Sequence, residues 1–311
     1  MKTRFCRIDS ILAFLLILST CLSVSIYAQG QQADPDFDAS VAKPAYTTRR
    51  PRLVLDEAHN NFHTADGRYK PFATLLRNDG FDVQPRRQKF TAESLKGISV
   101  LVIANALGAP DMASPDAAKP AFTDAEGDAL REWVKAGGAL LLIADHAPIG
   151  GANAALSLKF GVAMSRLHTV DEQHADLENG GNRGWLVFSR ENGLLGDHPI
   201  LRGRHAAERV SRVATFTGQS LKASDNAAVL LRLSDTAGDY DVASKKEISA
   251  AGRAQGVAMV FGKGRLVIMG EAAMMTAQIA GDRTRKFGMN RPGNDNKQLT
   301  LNILRWLSRL Y

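Results

Sequence analysis

The chain has 311 residues, a formal charge of +7 at pH 7 and two cysteines. Both of these, Cys6 and Cys21, precede residue 28, so the rest of the chain has no thiolate nucleophile, disulfide or zinc–sulfur site. The basic residues are scattered and not interleaved with aromatics, which argues against a nucleic-acid partner and for an ordinary solvated surface.

Lys2, Arg4 and Arg7 precede an apolar run over 11–18, and Ile26-Tyr27-Ala28 ends on a small residue. This layout predicts a secretory signal peptide over residues 1–28 and hence an exported protein, periplasmic or secreted. Membrane contact is then expected only through that segment, or through a lipid anchor at Cys21, because Leu18-Ser19-Thr20-Cys21 resembles a lipobox. Residues 29–50, rich in Gln, Asp and Ala, are expected to form a flexible lead. Residues 51–311 are expected to form one domain.

Strands are expected over 52–56, 81–84, 98–104 and 139–144. The last two are almost continuously apolar, as strands covered on both faces should be. A helix over 68–78 follows the first strand, with Pro71 in its first turn and Gly80 beyond its end. A second helix opens on the capping box Thr123-Asp124-Ala125-Glu126 and stops at Gly137-Gly138. This alternation implies an α/β fold with a mostly parallel central sheet. The remainder is less regular, with a helix over 152–160 and strands over 185–189 and 227–233. Asp197-His198-Pro199-Ile200 reads as a turn into an extended segment. A hairpin is expected around Gly262-Lys263-Gly264. A helix over 272–279, a polar loop over 280–296 and an amphipathic helix over 297–310 close the chain.

Open α/β sheets bind ligands beyond the carboxyl ends of their strands. After the first strand come Asp56, Glu57, His59, Asn60 and His63; after the third, Asn105; after the fourth, Asp145 and His146; after a late strand, Glu271. Asp56, His59, Asn60, Asn105, Asp145 and Glu271 are therefore the expected contacts of a small polar ligand. His59 and His63 are spaced to share a divalent metal if their segment is helical. In that alternative Glu57 or His146 would handle the proton of a hydrolytic reaction. Otherwise His59 orders its loop, His63 caps the helix, and Glu271 offsets a helix dipole. His168, Asp171, Glu172, His174 and Asp176 read as a solvated loop. No dinucleotide fingerprint, Walker loop or Gly-x-Ser-x-Gly elbow is present, and no other cofactor is expected.

Several of these pieces together resemble the class I glutamine amidotransferase-like superfamily, in particular an exported bacterial branch of unknown function. They are Leu55-Asp56-Glu57-Ala58-His59-Asn60-Asn61-Phe62-His63-Thr64, the run Gly137-Gly138-Ala139-Leu140-Leu141-Leu142-Ile143-Ala144-Asp145-His146, and Gly196-Asp197-His198-Pro199-Ile200. Gly262-Lys263-Gly264-Arg265, Gly270-Glu271-Ala272-Ala273-Met274, Asn296-Lys297-Gln298-Leu299, Asn302 and Trp306-Leu307 extend the similarity over about residues 51–310. The resemblance implies a three-layer, flavodoxin-like α/β sandwich. Glutaminase members carry a cysteine on the turn after a central strand, activated by a histidine and an acid. Here Asp145-His146 stands at that turn, which excludes thiolate-dependent glutamine hydrolysis. The functional expectation is an exported domain that binds a small polar ligand, a carbohydrate or cell-wall fragment, without thiol catalysis. The alternatives are the metal-dependent hydrolase and a non-catalytic scaffold or interaction module.

Overall fold

The computed structural model describes residues 30–178, 181–281 and 285–311; the expected signal peptide and the Cys21 anchor lie outside them. A nine-stranded sheet organises the chain. Its strands are β1 Arg52–Asp56, β2 Asp82–Arg86, β3 Val100–Ala104, β4 Ala139–Ile143, β5 Val162–Met164, β6 Leu221–Ala223, β7 Ala228–Arg232, β8 Ala254–Phe261 and β9 Gly264–Met269. The order is β2-β1-β3-β4-β9-β8-β6-β5, with β7 also paired to β8. The pairings from β2 through β9 are parallel. Those beyond β9 are antiparallel.

The longer helices among the described residues are α1 Lys70–Asn78, α2 Asp124–Lys135, α3 Ile149–Leu158 and α4 Asn296–Leu307. Successive strand residues point to opposite faces, which sorts the apolar side chains into two clusters. Leu53, Leu55, Val102, Leu141 and Val267 pack with Phe72 and Leu76 of α1 and Ile303 and Leu304 of α4. Val54, Leu101, Ile103, Leu140 and Ile268 pack with Leu130 and Val134 of α2 and Leu156 of α3. All of β3 and β4 is buried, as their unbroken apolar runs require. Each leucine or isoleucine so buried contributes roughly 1.5–3 kcal/mol of gross hydrophobic stabilisation.

The helix ends obey local chemistry. Thr123 Oγ1 accepts from the Glu126 amide at 3.2 Å, and Glu126 Oε2 accepts from the Thr123 amide at 3.0 Å, completing the capping box. After α1, Gly80 takes φ +93°, and a Cβ there would lie 1.9 Å from the Tyr46 carbonyl oxygen. Only glycine meets both demands.

In three places the described residues depart from the expected local pattern. Residues 272–279 do not form a helix. A 3₁₀ turn, Ala273–Met275, gives way to a strand, Ala277–Ala280. That strand pairs on one side with Arg285–Gly288, inside the expected polar loop, and on the other with Gln32–Ala33. Edge-to-edge pairing outweighs the local helical preference of the Ala-Met run. The lead is tied to the domain rather than loose. Beyond its strand, Tyr46 packs edge-on against Phe81 with centroids 4.9 Å apart, and the Ala45 amide donates to Asp79 Oδ1 at 2.9 Å. Asp79 is held in turn by buried Arg305, whose Nη2 lies 2.6 Å from Asp79 Oδ1. Finally, Pro199–Arg202 is one helical turn, not an extended segment. Proline suits the first helical position, and His198 Nδ1 accepts from the Ile200 amide at 3.2 Å. Among the described residues no helix is long and apolar enough to cross a membrane.

Candidate functional site

The polar stretch after β1 divides into two halves that face different surroundings. In the first half, the Asp56 carboxylate accepts from the Ala58 amide at 3.1 Å and from Asn61 Nδ2 at 3.1 Å. This Asx-type turn reverses the chain just past the strand. Asn60 sits at φ +49°, left-handed backbone that asparagine tolerates better than most residues. The Leu107 amide donates to the His59 carbonyl and the Phe62 amide to the Asn105 carbonyl, both at 2.9 Å, so the loops after β1 and β3 are laced together.

His59 has no exposed surface. Its Nδ1 lies 2.9 Å from Asp56 Oδ2 and its Nε2 lies 2.9 Å from Glu126 Oε1. The ring is flanked by Phe90 and Phe122 at centroid distances of 4.7 and 4.5 Å. It thus joins the end of β1 to the start of α2. Burial pushes the Glu126 carboxyl up, but hydrogen bonds from Thr123 and His59 outweigh it and hold it at about 2. Glu57 serves the same loop: Oε1 accepts from the Ala65 amide at 2.9 Å, and Oε2 lies 3.4 Å from Arg87 Nε.

His63 turns the other way. It lines a cavity of about 670 Å³ together with Asp145, His146, His168 and Glu271. Phe62, Trp185, Phe216 and Phe287 give the cavity apolar walls. The His63 ring stacks on Tyr69 at 4.6 Å, and Tyr69 Oη donates to the Ala272 carbonyl at 2.7 Å. Burial first, then the charge of Arg68, lowers His63 to about 3, so its imidazole is neutral at physiological pH. Among the described residues its Nδ1 has no hydrogen-bond partner.

Asp145 follows β4 and is held by two donors. Asn105 Nδ2 donates to Oδ2 at 2.7 Å and the Ala272 amide to Oδ1 at 2.7 Å. Asn105 also accepts from the Asp145 amide at 3.1 Å, from a left-handed φ of +50°. It orients the acid without lining the cavity. Glu271 follows β9 and accepts from the Ala273 amide at 2.7 Å and the Met274 amide at 2.8 Å. Burial, then the neighbouring Asp145 charge, raises the Glu271 carboxyl well above the usual range. Burial likewise raises Asp145, against the pull of His146 and its hydrogen-bond donors. His146 stacks on His168 with centroids 3.8 Å apart. Burial and the proximity of His146 lower His168 to about 4. The cavity therefore presents the neutral imidazoles of His63 and His168 beside two carboxyl groups whose ionisation burial disfavours, a set that offers hydrogen-bond donors and acceptors.

Of the residues singled out from the sequence, His63, Asp145, His146 and Glu271 meet at this cavity, while Asp56, Glu57, His59, Asn60 and Asn105 lie off its wall. The His59–His63 pair is split. The segment between them is an irregular turn, so four-residue spacing does not place them on one face, and both His59 ring nitrogens already face carboxylates. Among the described residues no group of three or more His, Cys, Asp or Glu is arranged to hold a metal ion. His168, Trp185, Phe216, Gln278 and Phe287 come to the wall from the irregular half of the chain. A signal was available for two of them: Trp185 and Phe287 are isolated aromatics in Gly- and Asn-rich sequence, poor material for a purely solvated loop.

No family model matches the chain, and no curated protein matches it. Among solved structures the chain is similar to the mmIFT52 N-terminal domain, with a TM-score of 0.58 at 15% identity, covering 82% of this chain and 97% of that one. It is also similar to a ThuA-like protein from Bacteroides uniformis, with a TM-score of 0.45 at 14% identity, covering 88% and 95%. A ThuA-like protein from Parabacteroides merdae gives 0.43 at 12% identity, covering 84% and 91%. The first of these likenesses bears on the fold alone: a mixed α/β domain built on a large, mostly parallel sheet.

Proposed function

We propose that the cavity bounded by His63, Asp145, His146, His168 and Glu271 binds a small polar ligand, without thiol chemistry. The observation that carries this reading is convergence. Side chains that follow β1, β4 and β9 share one cavity of about 670 Å³ with four aromatic residues. A concave, mostly apolar pocket with a few polar groups and perturbed titrations is the usual form of a small-molecule site. The fold reading goes with it: helix clusters on both faces and the β2-β1-β3-β4 order support a three-layer, flavodoxin-like sandwich of the glutamine amidotransferase-like kind. The basic, apolar and small-residue pattern of residues 1–28 supports export to the periplasm or beyond.

A thermal-shift screen of sugars, peptidoglycan fragments, amino acids and sugar acids, with zinc and manganese included, tests the site. A ligand present at a hundred times its Kd should stabilise the protein by about 2.7 kcal/mol, and Asp145→Ala should abolish the shift. No shift from any class would overturn the reading. A shift from a metal alone, lost in His63→Ala, would instead favour metal-dependent hydrolysis with a ligand set that includes His63 but not His59. Export is tested by N-terminal sequencing: a start near residue 29 in the exported fraction is expected, and full-length protein confined to the cytoplasm would overturn it.

A further inference from the structure

We propose that the ligand is a neutral polyhydroxylated molecule of the sugar type, and that His63 and Gln278 read two of its hydroxyl groups. This rests on the ligand-binding reading of the cavity and narrows it to one chemistry.

Two side chains of the cavity wall share an unusual condition. His63 is 3% exposed and Gln278 2% exposed, and both line the cavity. Among the described residues, His63 Nδ1 and Gln278 Oε1 have no hydrogen-bond partner. Buried polar atoms are almost always paired, and an unpaired one weakens the folded state. Asn153, Thr215, Gln255 and Asn290 also carry unpaired atoms but do not line this cavity. Gln278 is fixed in its place by backbone pairing of its strand with Ala33 and Phe287.

The chemistry of the two groups selects the ligand. A neutral imidazole and a primary amide each carry a donor end and an acceptor end. Rotation about the last side-chain torsion turns either end toward the cavity, because that torsion is broad for both residues. A hydroxyl both donates and accepts, so it matches every tautomer and amide orientation. A carboxylate can pair only with the donor ends and would lie beside the Asp145 and Glu271 carboxyls on the same wall, and an ammonium can pair only with the acceptor ends. Arg68 on the wall donates from Nε to the Gln31 carbonyl at 3.1 Å and lies over the Phe62 ring at 4.1 Å. Phe62, Trp185, Phe216 and Phe287 supply apolar surface for the C–H face of a sugar ring.

The test is calorimetric titration and thermal shift of the protein with glucose, N-acetylglucosamine and maltose, against glucuronate and glutamate. The neutral sugars should bind, with the acids at least ten-fold weaker. Gln278→Leu should raise the melting temperature of the ligand-free protein, since an unpaired acceptor is removed, and weaken sugar binding at least ten-fold. His63→Phe should weaken binding comparably, and Gln278→Met provides a second variant of the same logic. Tighter binding of glucuronate or glutamate would overturn this inference and leave the broader reading standing. No binding by any of the five would remove this inference, and the wider screen would then decide the broader one. A Gln278→Leu protein that melts lower with unchanged affinity would show a structural glutamine and overturn the assignment.

Discussion

His59 and His63 are four residues apart, both almost fully buried, and have opposite circumstances. His59 sits between Asp56 and Glu126 with both ring nitrogens engaged. His63 has one ring nitrogen without a partner and a cavity beside it. The contrast separates a histidine that the fold uses from one that the fold leaves available. A satisfied, buried imidazole joins elements; among the described residues His63 keeps a ring nitrogen unpaired at a cavity wall.

The largest effect that would test this contrast is His59→Ala. It leaves two buried carboxylates without their shared partner, and a loss of about 3–5 kcal/mol in denaturant unfolding is expected. A loss under about 1 kcal/mol would mean that the contacts of His59 with Asp56 and Glu126 are idle. His63→Phe should cost far less stability and act on ligand binding instead.

Asn105→Ala comes next, at about 2 kcal/mol. It removes the hydrogen bonds with Asp145 and places alanine at φ +50°. Asn105→Gly relieves the backbone term alone, so if it restores full stability and ligand binding, the contact with Asp145 is dispensable.

The pH profile tests the environment of His63 directly. His63 and His168 are lowered in the folded state to about 3 and about 4. The unfolded chain takes up those protons near pH 6.5 while the folded protein does not. Their stabilisation is therefore complete above that pH and is lost as pH falls toward 4 and then 3, at up to about 1.4 kcal/mol per pH unit for each histidine. Glu126, lowered to about 2, adds its loss only below about pH 4.5. His63→Phe should flatten the slope from pH 6.5 down to about 3 and leave the contributions of His168 and Glu126 in place. An unchanged upper slope would contradict the burial of a neutral His63.

The smallest effect is Thr123→Ala, expected to cost about 1 kcal/mol through loss of the helix cap. Because Glu126 anchors both the cap and His59, combining it with His59→Ala should be non-additive. Strict additivity would show that the cap and the His59 link are independent.

Elements with strong local signals were legible from residues alone. The runs in β3 and β4 are apolar without interruption, and Thr123 with Glu126 announces α2. Gly262 and Lys263 link β8 to β9 as the hairpin pattern demands. The strand ends also pointed to Asp145, His146 and Glu271, because strand direction follows from βαβ connectivity. The failures lie where pairing partners are far apart in sequence. The strand of Gln278 draws its neighbours from residues 32–33 and 285–288, and its own Ala-Met-rich lead-in favours helix.

By itself the amino-acid sequence determined an α/β domain, the polar edge where its strands end, and the absence of a cysteine nucleophile after residue 28, because periodicity, caps and composition are local properties. Only the tertiary structure decided which of two similar histidines faces a cavity and which is locked between carboxylates. It also decided that Trp185, Phe216, Gln278 and Phe287 complete the wall. Those outcomes depend on which distant segments pack against the turn after β1, and four-residue spacing in an irregular turn carries no information about direction.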